Sequence, residues 1–229
     1  MTPAVDAEDV RFEFEPGRLV LDGISFRVNA GERVALVGAN GAGKSTLLWC
    51  LLGLYRCRGR IRIFGLAPPQ ARPRIGVVFQ NPEDQLFMPA ILEDVALTLV
   101  NRGMPRSEAL ERSRAALTSL GLGAQAELPA RQLSLGQRKR AAIAAALAAG
   151  PELLVMDEPT AELDGRSLRQ LGAALEPIRV TLLIASHHVE FLANTTTRAI
   201  VLESGKVIAH GPSRELLSDA ALLERAGVR

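Results

Sequence analysis

At 229 residues, with 27 basic and 25 acidic side chains, the chain is long enough to bury a full core and carries almost no net charge. Two wholly independent domains would be a tight fit, and the charge balance gives no argument for a nucleic-acid or anionic-membrane partner. Residues 1–9 carry acids where a secretory leader needs an apolar stretch, and the longest apolar run, residues 141–149, is too short for the ~20 residues of a membrane-spanning helix. The expectation is therefore a soluble chain whose mature form starts at Met1, with Cys50 and Cys57 as reduced thiols.

Taken in chain order, residues 10–14 and 24–28 alternate in polarity, which predicts two strands of a half-covered sheet, punctuated by Glu15-Pro16-Gly17 and Asn29-Ala30-Gly31. Residues 33–37 form a nearly continuous aliphatic run, the pattern of a strand buried on both faces of a parallel sheet. A helix is predicted over residues 44–52, then strands over 60–64 and 75–79. Between 91 and 120 the apolar positions Ile91, Val95, Leu99, Leu110, Leu117 and Leu120 recur at helical spacing. Gly103 and Pro105 split that stretch into two helices, and it reads as a helical insertion. An Ala-rich third helix over 137–149 suits close packing. Strands over 153–156 and 180–185 then flank a helix near 167–175, restoring α/β alternation. Residues 199–203 and 206–210 pair across Ser204-Gly205 as a hairpin, and short helices near 214–217 and 220–225 finish the chain.

The strongest local signal is Gly38-Ala39-Asn40-Gly41-Ala42-Gly43-Lys44-Ser45, followed by Thr46, which fits G-x-x-x-x-G-K-[ST] between a buried strand and a helix. Its glycines let the backbone curl so that successive N–H groups face phosphate oxygens, and the helix adds its positive end. Lys44 is placed to reach the β- and γ-phosphates of ATP, and the Ser45 hydroxyl to ligate Mg²⁺. A plain Gly-rich turn is the bland alternative, and the Lys-Ser-Thr ending with its correct flanks counts against it. A second site lies at the end of the strand over 153–156, where Asp157 and Glu158 emerge in different directions. Asp157 can hold Mg²⁺, directly or through water, while Glu158 polarises the attacking water as a general base; Pro159 ends the strand.

With both elements present, the sequence resembles the ATP-binding cassette (ABC) ATPase family over nearly its whole length. The segment Leu133-Ser134-Leu135-Gly136-Gln137 is similar to the family's Leu-Ser-Gly-Gly-Gln motif, which generic P-loop kinases and GTPases lack. The resemblance implies an α/β fold: a P-loop NTPase (RecA-like) core with an N-terminal antiparallel β subdomain and an inserted α-helical subdomain. Residues 1–229 would be one cassette, with 1–82 and 151–229 as the nucleotide-binding core and 83–150 as the helical subdomain carrying the signature motif. It further implies that Ser134, Gly136 and Gln137 bind the γ-phosphate held by a second subunit, giving two composite sites in a head-to-tail dimer. From the residues themselves, Ser134 and Gly136 precede the Ala-rich helix, so free N–H donors should face an anion there. Leu135 stands where glycine is usual and limits how closely the backbone approaches a phosphate.

Further matches follow the family order. Phe14 falls where an aromatic stacks on adenine, and Gln80 matches the loop glutamine that contacts Mg²⁺ or the lytic water and senses a membrane partner. Asp164, in Ala161-Glu162-Leu163-Asp164, matches the loop that crosses the dimer interface, with Glu162 where a small residue is usual. His187 matches the switch histidine that contacts the γ-phosphate; His188 occupies a position usually held by Asp, and one of the two is expected to be structural, with His187 favoured for chemistry. The run from Val78 to Phe87 resembles the energy-coupling-factor and cobalt-type importer ATPases. That likeness implies a second ATPase subunit, identical or related, a transmembrane coupling subunit, a separate substrate-binding membrane subunit and no nucleic acid. The chain would sit on the cytoplasmic face of the membrane and power import of cobalt, nickel, biotin or another vitamin. The rival readings are a soluble non-transport ABC ATPase and a nucleotide-binding regulatory subunit with little turnover.

Overall fold

The computed structural model describes residues 2–228. Strands β1 (Val5–Glu13), β2 (Leu19–Val28) and β4 (Arg58–Ile63) form an antiparallel sheet in the order β2-β1-β4. Both outer pairings centre on Val5, which faces Val28 on one side and Ile63 on the other. Strand β1 begins five residues before the sequence pattern predicts, because Val5 and Ala7 are buried as deeply as Val10. Phe14 lies just past its end.

The second sheet contains β3 (Arg33–Val37), β5 (Ile75–Val78), β6 (Leu153–Asp157), β7 (Thr181–Ala185), β8 (Arg198–Glu203) and β9 (Lys206–Pro212). Its order is β5-β6-β7-β3-β8-β9, parallel except for β9. Period-two alternation sends Val34, Leu36, Leu153 and Val155 to an apolar cluster shared with the antiparallel sheet, and Ala35, Val37, Leu154 and Met156 to a cluster on the opposite face. This double burial is why these strands read as continuous aliphatic runs.

Helix α1 (Lys44–Leu51) packs into the first cluster through Leu47, Leu48 and Leu51. The short α2 (Pro68–Ala71) was not anticipated. Helices α3 (Ile91–Asn101), α4 (Arg106–Ser119) and α5 (Leu135–Ala148) are inserted between β5 and β6. Their Ile91, Val95, Leu117 and Ile143 join the same cluster as Leu154 and Met156, so the insertion is continuous with the core. Helix α5 begins two residues before the pattern predicts because Ser134 caps it. Helix α6 (Gly165–Leu175) precedes β7, and α7 (Val189–Thr195), also unanticipated, follows it; α8 (Ser213–Leu216) and α9 (Ala220–Arg225) close the chain. Among the described residues, no helix is long and apolar enough to cross a membrane.

Candidate active site

Strand β3 ends at Val37, and the chain turns through residues 38–43 into α1. At Gly38 an added Cβ would lie 2.5 Å from the Leu202 carbonyl oxygen, so only glycine lets the turn leave the sheet beside β8. Gly43 takes φ 100° immediately before Lys44. The first intrahelical bond runs from Leu47 N–H to Gly43 O at 2.8 Å, which leaves the amides of Lys44, Ser45 and Thr46 as free donors at the positive end of the helix. Two of the expected cradle residues are committed elsewhere. Ala39 N–H donates to Ala226 O at 2.9 Å and Ala42 N–H to Ala39 O at 3.1 Å, so neither amide is available to a phosphate.

A cleft of about 700 Å³ opens over this turn. Asn40, Gly41, Gly43, Lys44, Ser45 and Thr46 line it from the loop; Gln80, Glu158 and His187 line it from the ends of β5, β6 and β7; Phe14 lines it from the antiparallel sheet. The structure thus brings together residues that sequence spacing leaves more than a hundred positions apart. Phe14 is 62% exposed and meets Phe12 and Tyr55 edge-on, with centroids at 4.9 and 5.6 Å, while Phe12 and Tyr55 stack at 5.1 Å. The exposed ring is therefore held by two others, a support that the isolated aromatic in the sequence did not reveal.

Lys44 is buried, and its Nζ donates to Gly38 O at 2.8 Å and Ala39 O at 3.1 Å and lies 3.4 Å from Glu158 Oε1. The other carboxylate oxygen, Glu158 Oε2, accepts from His187 Nδ1 at 2.9 Å. Glu158 itself adopts φ 45°, a left-handed conformation that costs a non-glycine residue about 1–3 kcal/mol, and its N–H is tied to Ala185 O at 2.8 Å. Oε1 is buried with no hydrogen-bond donor of its own, which leaves it able to accept a proton.

Asp157 stays buried at the last position of β6 and does not line the cleft. Burial pushes its carboxyl above the ordinary range; a hydrogen bond with Ser45 and the charge of Lys44 act in the opposite direction, and Glu158 adds to the rise. Its Oδ1 has no partner. Asp157 Oδ1, buried and unpaired beside the Ser45 hydroxyl, and the Gln80 amide, which lines the cleft, are oxygen donors of the kind that suit Mg²⁺.

Ser134, Gly136 and Gln137 lie outside this cleft. Ser134 Oγ accepts from Gln137 N–H at 3.3 Å and Gln137 Oε1 accepts from Ser134 N–H at 2.8 Å, a closed capping box. Only the amides of Leu135 and Gly136 remain as unused donors in that turn. An added Cβ at Gly136 would fall 2.8 Å from Ser167 Oγ, so this glycine lets α5 approach α6. Asp164 is exposed and caps α6, its Oδ1 accepting from Ser167 N–H at 2.7 Å, a bond that holds its carboxyl below the usual range. Glu162 points to solvent, so its size causes no crowding within the chain. His188 caps α7, its Nδ1 accepting from Phe191 N–H at 3.2 Å. Lys139, which the Ala-rich helix gave no reason to single out, is buried and reaches this region from α5. A larger groove of about 1120 Å³ runs between α6, α7 and α8 and contains none of the phosphate-loop residues.

The family model for the ABC transporter matches residues 21–161. The nickel import ATP-binding protein NikO of Rhodobacter capsulatus is 40% identical over 245 residues, covering 99% of this chain and 96% of its own. The energy-coupling factor transporter ATP-binding protein EcfA of Methanothermobacter thermautotrophicus is 38% identical over 236 residues, covering 98% of this chain and 76% of its own. Among solved structures, CbiO1 from Clostridium perfringens, part of the ABC transporter complex CbiONQ, superposes with a TM-score of 0.86 at 30% identity, over 100% of this chain and 96% of that one.

Proposed function

Since the chain belongs to the ABC transporter family and is an ATPase, we propose that it powers an importer of the energy-coupling-factor type, carrying a transition metal such as cobalt or nickel, or a vitamin such as biotin. The observation that carries the hydrolytic part is the Glu158 carboxylate, set between the Lys44 ammonium and the His187 imidazole at the mouth of the phosphate loop. The similarity to NikO, EcfA and CbiO1 supports the importer subgroup.

In this reading the amides of Asn40, Gly41, Gly43, Lys44, Ser45 and Thr46 cradle the phosphates of ATP, Lys44 neutralises them, and Phe14 stacks on adenine. Ser45, Gln80 and Asp157 would hold Mg²⁺, which when bound would supply positive charge to the phosphate oxygens. Glu158 accepts the proton of the attacking water at Oε1, and His187 steadies that carboxylate through Oε2. Ser134 and Gly136, which lie outside the cleft of their own chain, serve in this reading the γ-phosphate of a second copy or a related subunit, in a head-to-tail dimer with Asp164 at its interface. Residues 1–82 and 151–229 act as the nucleotide-binding core, and residues 83–150 as the arm that meets a transmembrane coupling subunit. A separate membrane subunit binds the cargo, and the chain sits on the cytoplasmic face with no nucleic-acid partner.

Affinity capture of the tagged chain from detergent-solubilised membranes tests the transport reading. Recovery of a transmembrane subunit that raises ATP turnover is the expected result. Capture of ribosomal or nucleic-acid-bound proteins instead would replace it with a soluble role.

A further inference from the structure

Helix α5 carries a buried cation for which the chemistry above has no use. Lys139 is 3% exposed, and its Nζ donates to two main-chain carbonyls, Gln80 O at 3.2 Å and Glu158 O at 3.0 Å. Burial depresses its pKa below the ordinary lysine range, with the charges of Glu162 and Glu158 acting the other way. A lysine ammonium in so dry a place costs free energy that an apolar side chain of the same length would not.

The two carbonyls lie just beyond the ends of β5 and β6, adjacent parallel strands in register from Ile75 opposite Leu153 to Val78 opposite Met156. Lys139 thus bridges the two strand ends that deliver Gln80 and Glu158 to the cleft. Glu158 depends on this more than Gln80 does. Its left-handed backbone is held on one side by its own N–H on Ala185 O and on the other by Lys139 on its carbonyl. Rotation of that residue toward an ordinary conformation would swing the carboxylate away from Lys44 and His187.

We propose that Lys139 is a positioning residue for ATP hydrolysis: it fixes the Glu158 and Gln80 main chains so that the carboxylate stays aimed at the attacking water, and it ties that aim to the helix capped by Ser134. The proposal rests on the reading of Glu158 as the general base. Any displacement of α5 when Ser134 engages a nucleotide would then reach the chain's own carboxylate through one side chain.

Three variants decide the matter in steady-state ATPase assays with parallel equilibrium nucleotide binding: Lys139→Met, which keeps length but has no donor; Lys139→Gln, which restores an N–H donor; and Glu158→Gln. The expected result is that Lys139→Met lowers kcat roughly tenfold or more with KM and nucleotide affinity within about twofold, and that Lys139→Gln falls between it and the wild type. Wild-type kcat in a folded Lys139→Met, beside an inactive Glu158→Gln, would overturn the proposal. If Lys139→Met fails to fold, Lys139→Leu, which also lacks a donor, takes its place: reduced kcat at unchanged KM supports the role, and wild-type kcat overturns it. Turnover retained in Glu158→Gln would instead remove the general base, whatever the lysine variants do.

Discussion

His187 and Glu158 meet through one hydrogen bond, Nδ1 to Oε2 at 2.9 Å, between an imidazole that is 55% exposed and a carboxylate that is 8% exposed. The contact orients a buried carboxylate from the solvent side of the cleft. Removing it in His187→Ala should lower kcat roughly ten- to hundredfold and leave the KM for ATP nearly unchanged. A raised KM at constant kcat would place His187 in ground-state binding.

Glu158→Gln keeps the shape of the side chain and removes its capacity to accept a proton. Turnover should fall by roughly 10²–10⁴, while ATP still binds and gathers the protein into a closed dimer. ATPase assays combined with size-exclusion chromatography in ATP check both halves, and near-normal turnover would count against the role.

Lys44→Ala removes the cation that lies 3.4 Å from Glu158 and donates to the loop carbonyls. Losing one charge-assisted contact to the phosphates should weaken ATP binding by about 1.5–3 kcal/mol, roughly ten- to hundredfold. An ATP titration that matches the wild type would take Lys44 out of the site.

His188 behaves differently from its neighbour because its ring nitrogen caps α7. His188→Ala should cost about 1 kcal/mol of stability with turnover largely kept, and His188→Asp, a stronger cap, should recover it. Paired thermal melts and ATPase assays separate this from the His187 outcome.

Asp94 is buried on α3, where its Oδ1 accepts from Phe87 N–H at 2.8 Å and Met88 N–H at 2.9 Å and its Oδ2 has no partner. Burial raises its pKa above the ordinary 3.8, only partly countered by those two N–H donors. A raised native pKa means that the folded state binds the proton more tightly, so this contribution to stability is fully present below 3.8 and is lost as pH rises through the native value. Relative to Asp94→Asn, the wild type should therefore lose stability as pH climbs from 3.8 through that window and run parallel above it. Denaturant titrations of both proteins across that range measure the difference.

Features built from neighbouring residues were legible in the sequence. The phosphate loop needs Gly38, Gly43, Lys44 and Ser45 within eight positions, and the acid pair needs only that Asp157 and Glu158 end a buried strand. What escaped was set by partners far along the chain. The amides of Ala39 and Ala42 fit the loop pattern, yet a carbonyl at Ala226 and a local turn had already claimed them. His188 read as a departure from Asp because its capping role depends on α7, whose Val189 and Thr195 give little helical signal. Nothing in the Ala-rich pattern around Lys139 marks it as buried; its role depends on α5 seating its ammonium on carbonyls just past the ends of β5 and β6. Helix α2 was missed because Pro68 and Pro69 mark a first turn as readily as a loop.

The left-handed backbone at position 158 sets heat resistance against turnover. Asparagine tolerates φ 45° better than a longer side chain does and would relax the main chain there, so Glu158→Asn should melt at a higher temperature than Glu158→Gln, which loses the same carboxylate, both being catalytically silent. The working enzyme keeps the residue that its own dihedral angle disfavours, and its margin against unfolding is smaller for it.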